Sequence, residues 1–197
     1  MKTYLRIIIM ASGFSRRFGE NKLLLEIEGK AMFNHVLENV AQFLKKHPEK
    51  GTAILVSSYD EILTQGTNLG LITLKNNHPT LGQSESIKMG LSHPLNLDQN
   101  VEEVAVFLTA DQPWMKAQTL EAFLLKAIES ESGFLCASHN EIPGSPVSFN
   151  EKYYPYLLEL QGDQGGKVVM RRHLKDVTFF EANKDELKDV DSPSDLI

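Results

Sequence analysis

The run Leu5-Arg6-Ile7-Ile8-Ile9-Met10 is short, almost continuously apolar and rich in β-branched side chains. That composition describes a strand covered on both faces, not one with a wet side. Such a strand needs helices above and below it, and the chain supplies them in alternation. Over residues 31–46, Met32, Val36, Val40 and Phe43 recur at helical spacing, and Lys45 and Lys46 lie near the end that the helix dipole favours for cations. Further strands are predicted over 52–57, 71–74, 104–109 and 133–137, with helices over 61–65, 84–91 and 116–130 between them, the 84–91 helix capped by Ser84. This order predicts a three-layer α/β/α Rossmann-like fold around a mostly parallel central sheet with right-handed crossovers. Beyond Gly144 the pattern loosens into a strand-like stretch at 146–149, a helix near 153–160, a loop at 162–166 and strands near 177–180 and 188–190. No repeat, low-complexity tract or linker interrupts the chain, so one domain over residues 1–197 is expected.

Open sheets of this kind bind ligands beyond the carboxyl ends of their strands. The loops that follow predicted strands, 11–22, 76–84, 110–114, 138–146 and 189–193, are therefore the places to look for chemistry. Charge narrows the class of ligand. The chain carries a net charge of −6 at pH 7, which disfavours a nucleic-acid partner, because phosphate backbones require an excess of Lys and Arg. Yet residues 1–30 hold six basic groups against three acidic ones, and residues 181–197 hold six acidic groups against Lys184 and Lys188. An acidic chain with one basic loop suits a small anion. The single cysteine, Cys136, excludes an intramolecular disulfide framework and a Cys-rich zinc site, and its apolar neighbours predict a buried structural thiol. No apolar stretch approaches the ~20 residues that cross a bilayer, and the amino terminus lacks the pattern of a signal peptide. A cytoplasmic protein without a membrane partner is expected.

Six segments carry candidate functional residues. In "MASGFSRRFGENK" (residues 10–22), Gly13 and Gly19 permit unusual backbone angles, while Arg16, Arg17 and Lys22 add charge. The loop matches neither the Walker nor the dinucleotide fingerprint and is read either as a polar connection or as an anion cradle. In "FLTADQP" (107–113), Asp111 follows a strand directly, either as a turn residue or as an oxygen ligand for Mg²⁺. In "DVDSPSDL" (189–196), Asp191 is predicted to end a short strand, and Asp191 or Ser192 to cap a last helix begun by Pro193. "LGQSESIKMG" (81–90) presents a helix start whose amides suit a phosphate or the polar edge of a base. "HNEIPGSPVSF" (139–149) contains Asn140 and a predicted turn at Pro143-Gly144, and "GDQGGKVVMRRH" (162–173) sets Gly165 and Gly166 before Lys167, Arg171 and Arg172. The six histidines are scattered without a zinc-binding pair, and no nucleophile elbow supports a serine triad.

Taken in order, these segments resemble the nucleotidyltransferases that activate the molybdenum cofactor. "MASGFSRRFGENK" is similar to their L-A-A-G-x-S-x-R-M-G-x-x-K signature, and "TADQP", "IPGSPVSF", "GDQGG" and "DVDSPSD" match later motifs, so the likeness covers almost the whole chain. The final motif sides with the cytidylyl branch, since the guanylyl branch typically carries N-x-N-T-P there. Ser12 departs from both branches, which place Ala or Gly at that position, where the base is read.

The resemblance implies a Mg²⁺-dependent transfer of CMP from CTP, or of a nucleotide from another NTP, to the phosphate of molybdopterin, with a molybdenum hydroxylase as recipient of the product. It implies that Arg17, Lys22 and Asp111 are catalytic. Nucleotide contacts are implied for Ala11, Ser12, Gly13, Ser15, Arg16, Arg17, Lys22, Gln83, Ser84, Ser86 and Asp111. Pterin contacts fall to Asn140, Pro143, Gly144, Asp163 and Gly165, and the metal to Asp111 and Asp191. The chemistry agrees with the residues present: an acceptor phosphate is already an anion at neutral pH, so no activated Ser, Cys or His is required. The same chemistry with GTP, or with a sugar or alcohol phosphate acceptor, is the near alternative. A non-catalytic nucleotide sensor or cofactor chaperone is the distant one.

Overall fold

The computed structural model describes residues 2–13 and 21–196 of the chain. Ser15, Arg16 and Arg17, three of the residues expected to meet the nucleotide, lie outside these described residues. The chain opens with β1 (Lys2–Ala11), then a two-stranded ribbon of β2 (Glu26–Ile27) and β3 (Lys30–Ala31), then α1 (Met32–Lys46). It continues through β4 (Gly51–Ser57), α2 (Asp60–Asn68), β5 (Ile72–Lys75), α3 (Gln83–Ser92), β6 (Val101–Thr109) and α4 (Ala117–Glu129). A hairpin of β7 (Phe134–His139) and β8 (Ile142–Asn150) follows, then α5 (Tyr154–Leu158), α6 (Lys167–Arg172) and β9 (Val177–Glu181).

Seven strands form one sheet in the order β5-β4-β1-β6-β8-β7-β9. β1 pairs parallel with β4 and β6, β4 with β5, and β7 with β9, whereas β8 runs antiparallel to both of its neighbours. The sheet is thus mostly parallel, with helices over both faces. Alternation along β1 shows how the two-sided burial works. Leu5, Ile7 and Ile9 face the layer of α1, α2 and α4, packing with Phe33, Leu37, Val40, Ile62 and Phe123. Ile8 faces the layer of α3, α5 and α6, with Ile87, Leu157, Val169 and Met170. Arg6 interrupts the apolar run without breaking it. Its guanidinium forks onto Glu103 of β6 at 2.7 and 2.9 Å and also donates to the Gly90 and His93 carbonyls. A buried charge is tolerated only when satisfied in this way.

Four local expectations are corrected. Residues 188–190 are not a strand; they follow a short 3-10 turn (Lys184–Leu187) and run along the end of β6. Asp191 therefore ends no strand. Pro143 and Gly144 form no turn but lie inside β8, because the chain has already reversed at Asn140 and Glu141 (φ 50° and 63°). Two consecutive left-handed residues make the tight turn whose twist matches a hairpin, and Asn tolerates that region well. Ser84 is not a cap: α3 starts at Gln83, and the cap position is Gly82 (φ 85°). Among the described residues no helix is long and apolar enough to cross a membrane.

Candidate active site

Strand order places β4 and β5 on one side of β1 and β6 on the other, so the direction of winding reverses between β1 and β6. The carboxyl ends of these two strands open a crevice, the usual seat of a ligand in such sheets. The Ala110 N–H donates to the Met10 carbonyl at 3.1 Å, which sets Asp111 across from Ser12. Ala11 and Ser12 are both buried. The Ala11 carbonyl accepts the Ser57 hydroxyl at 2.9 Å, and the Ser12 hydroxyl donates to the Val56 carbonyl at 3.3 Å.

Lys22 reaches the crevice from a 3-10 turn, Lys22–Leu24. Asn21 caps this turn by accepting the Leu23 N–H at 3.1 Å, and the buried Leu23 side chain anchors it. Lys22 Nζ donates to Asp111 Oδ2 at 2.7 Å, to the Val190 carbonyl at 2.6 Å and to Asp191 Oδ1 at 3.4 Å. Two aspartates that lie 80 positions apart in the chain are thereby drawn to one ammonium group. The segment carrying Asp191 is stitched to the loop that follows β6 by two more bonds: Val190 N–H to the Asp111 carbonyl (3.0 Å) and Gln112 Nε2 to the Leu187 carbonyl (3.0 Å). Asp195, not Ser192 or Asp191, closes the last turn. Its Oδ2 accepts from the amides of Asp191 and Ser192 at 2.9 and 2.7 Å and from the Ser192 hydroxyl at 2.9 Å.

The second carboxylate oxygen of Asp111, Oδ1, is buried and has no hydrogen-bond partner among the described residues. A buried charged acceptor left unsatisfied is costly, so this atom awaits a donor or a cation. Hard carboxylate oxygens at Asp111 and Asp191 fit a Mg²⁺-like ion. No group of three or more His, Cys, Asp or Glu side chains among the described residues forms a ready metal cluster. Asp189 is the third carboxylate nearby. Although it keeps contact with solvent, burial first, and then the charge of Asp111, push its carboxyl up to about 6.

The opposite wall comes from the start of α3. Gly82 presses against the backbone of Gly162 so closely that a Cβ there has no room, and the Ser84 N–H donates to the Gly162 carbonyl at 3.1 Å. This clasp carries Asp163 to the crevice. Ser84 and Ser86 are buried, and the Ser86 hydroxyl accepts from Asn76 Nδ2 at 3.4 Å.

Two adjoining clefts result. The first, about 350 Å³, gathers Ser12, Gly13, Lys22, Gln83, Ser86, Asp111 and Asp163. The second, about 290 Å³, is lined by Gly165, Lys167, Ser145 and Asp189 over an apolar floor that includes Phe107 and Phe149. Met10, Gln83 and Thr109 line both. Ala11 and Ser84 sit behind the wall of the first cleft, and Asp191 joins its rim through Lys22. Asn140, Pro143 and Gly144 line neither cleft. Asn140 occupies the hairpin turn, where its amide donates to the Glu181 carboxylate at 3.2 Å. Gly144 instead admits Leu187, whose Cδ1 would lie 3.2 Å from an added Cβ. Cys136 is fully buried and its thiol is pushed up to about 11 by burial, in keeping with a structural role. Thr109 and Asp189 line the clefts without being singled out by the sequence motifs. Asp189 carried a signal, being two residues before Asp191, but Thr109 carried none beyond its place at a strand end.

Residues 7–177 match the family described as the MobA-like NTP transferase domain. The chain is 27% identical over 212 residues to the purine catabolism protein PucB of Bacillus subtilis (strain 168), an alignment covering 98% of this chain and 94% of PucB. It superimposes on Rv0371c from Mycobacterium tuberculosis H37Rv with a TM-score of 0.76 at 18% identity, over 99% of this chain and 96% of the other. The same relative has been solved in complex with manganese (TM-score 0.74, 17% identity, 99% and 96% covered). Molybdopterin-guanine dinucleotide biosynthesis protein A from Archaeoglobus fulgidus superimposes with a TM-score of 0.60 at 16% identity, over 96% of this chain and 94% of the other. At these identities the solved structures establish a common fold.

Proposed function

For a chain that belongs to the MobA-like NTP transferase family, and is on that ground a nucleotidyltransferase, we propose transfer of CMP from CTP to the terminal phosphate of molybdopterin, with release of pyrophosphate and delivery of the product to a molybdenum hydroxylase. The observation that carries this reading is the grouping of Lys22, Asp111 and Asp191 at the mouth of the switch-point crevice, with Asp111 Oδ1 buried and unpartnered. The acceptor arrives as an anion, so the reaction asks for positioning and neutralisation of charge, not for a general base. Lys22 supplies a full positive charge to the triphosphate, with the backbone around Gly13 beside it in the first cleft. Asp111 and Asp191 would hold a divalent cation, Mg²⁺ in this reading, whose charge would offset that of the nucleotide's phosphates. Ser12, Gln83 and Ser86 supply contacts to base and ribose. Gly165 faces the acceptor from the second cleft and Asp163 borders it from the first, with Asn140, Pro143 and Gly144 contributing only through the hairpin that flanks it.

The named relatives support this reading in two respects. One acts in molybdopterin dinucleotide biosynthesis by its name, and another binds manganese. The name of the former also favours GTP as a second reading. Pyrophosphate release, measured with reduced molybdopterin and each nucleotide in turn, decides between them. Release with CTP and little with GTP is expected, with loss on chelation and recovery on adding Mg²⁺. Release with GTP alone overturns the choice of base, and no release with any nucleotide overturns the reaction.

A further inference from the structure

The second cleft holds one cation, Lys167, which shares the lining with the Asp189 carboxylate. Lys167 is the only Lys or Arg among the described residues lining it, and its ammonium makes no ion pair there. Among the described residues Nζ donates one long hydrogen bond, 3.5 Å to the Pro143 carbonyl. Its backbone, by contrast, is held firmly. An added Cβ at Gly165 would meet Gln83 Oε1 at 2.5 Å, and one at Gly166 would meet Phe149 Cζ at 2.6 Å, so the turn that launches Lys167 lies flat against both clefts' walls. On the boundary between the clefts stands Thr109, whose hydroxyl is buried and has no hydrogen-bond partner among the described residues. A buried hydroxyl without a partner is uncommon in native proteins, and a ligand group at the junction of the clefts would complete this one.

Resting on the nucleotidyl-transfer reading above, we propose that the second cleft is the acceptor site, that Lys167 is the residue that recognises the acceptor's phosphate monoester, and that the Thr109 hydroxyl donates to a phosphate oxygen where the two clefts meet. The layout suits the chemistry. An acceptor oxygen attacks the nucleotide's α-phosphorus, a P–O bond forms there, and the bond to the leaving pyrophosphate breaks on the far side. Two polyanions must approach one another, and each needs its own cation: Lys22 in the first cleft, Lys167 in the second. Electron pairs and protons balance without a base, since the attacking oxygen is already ionised. This assignment moves acceptor recognition from Asn140, Pro143 and Gly144 to the α6 start. It also predicts that the acceptor is selected as a phosphate and not as an alcohol.

Binding of molybdopterin and of its dephosphorylated form, titrated against the full chain by intrinsic fluorescence, tests the assignment without relying on turnover. The wild type is expected to bind the phosphorylated form at least about tenfold more tightly. Lys167→Ala abolishes that difference, Lys167→Arg retains most of it, and CTP binding is the same in all three. Thr109→Val, which keeps the shape of the side chain, narrows the difference between the two forms. If Lys167→Ala keeps the full preference for the phosphate, or the wild type shows none, the assignment is overturned. Failure of the wild type to release pyrophosphate would overturn the reaction instead, and the titrations distinguish the two failures.

Discussion

At the scale of single residues, the site is organised by one lysine. Lys22 touches two carboxylates and a main-chain carbonyl, and its side chain is only 13% exposed. Removing a charged donor that faces developing negative charge costs about 2–4 kcal/mol of transition-state stabilisation, so Lys22→Ala is expected to lower kcat/KM by roughly two to three orders of magnitude. An unchanged rate would reduce Lys22 to a structural tie. Asp111→Asn keeps the size and the packing but removes the charge. Turnover should disappear while CTP still binds, and cofactor maturation left intact by the variant would favour the reading of a carrier that performs no chemistry. Away from the site, Glu103→Ala strands the Arg6 guanidinium in the sheet interior. Loss of one partner of a buried pair is expected to destabilise the fold by about 3–5 kcal/mol, read from denaturant midpoints.

At the scale of elements, two glycines on the same helix separate fold from site. Gly90 lets α3 lie against β1, where an added Cβ would meet Ile8 Cγ2 at 2.6 Å. Gly82 opens the same helix in a left-handed conformation (φ 85°) against Gly162. Gly90→Ala is overpacking of a core contact and should cost about 1–3 kcal/mol with little change in substrate KM. Gly82→Ala combines strain with loss of the clasp that places Gln83 and Asp163, so KM for the nucleotide should rise along with the loss of stability. Equal effects of the two variants on KM would deny the clasp its role. Sequence periodicity predicted α1, α3, α4 and the central strands to within a few residues because each has one dominant packing face or is buried on both. It failed at 188–190 and at Pro143-Gly144, where short segments are shaped by neighbours and not by their own pattern.

At the scale of the molecule, the acid end of the stability profile is set in part by the layer remote from the clefts. Asp176 accepts from Lys152 and from the Tyr153 hydroxyl, and these bonds, Lys152 foremost, hold its carboxyl down to about 2. A carboxyl with a depressed folded-state pKa contributes stability that is fully present above its ordinary value near 4 and is lost as the pH falls toward 2. Asp176→Asn should therefore lower the melting temperature at pH 6 and leave it nearly unchanged close to pH 2. A constant difference across that range would assign the effect to packing. The partial exposure of Lys152 and Asp176 keeps the effect small.

The sequence by itself determined the layered α/β class, the strand ends worth inspecting, and the family motifs, since apolar periodicity and local turn chemistry are properties of neighbours along the chain. The pairing of β8 in reverse, the clasp of Gly82 on Gly162, and the meeting of Lys22 with both Asp111 and Asp191 were decided only by the tertiary structure. The physical reason is distance: these contacts join residues far apart in the chain, whose free energy is realised only once the sheet has set the register between β1 and β6. The same holds for the junction at Thr109, which no pattern marks and which becomes visible only as an unpartnered hydroxyl between two clefts.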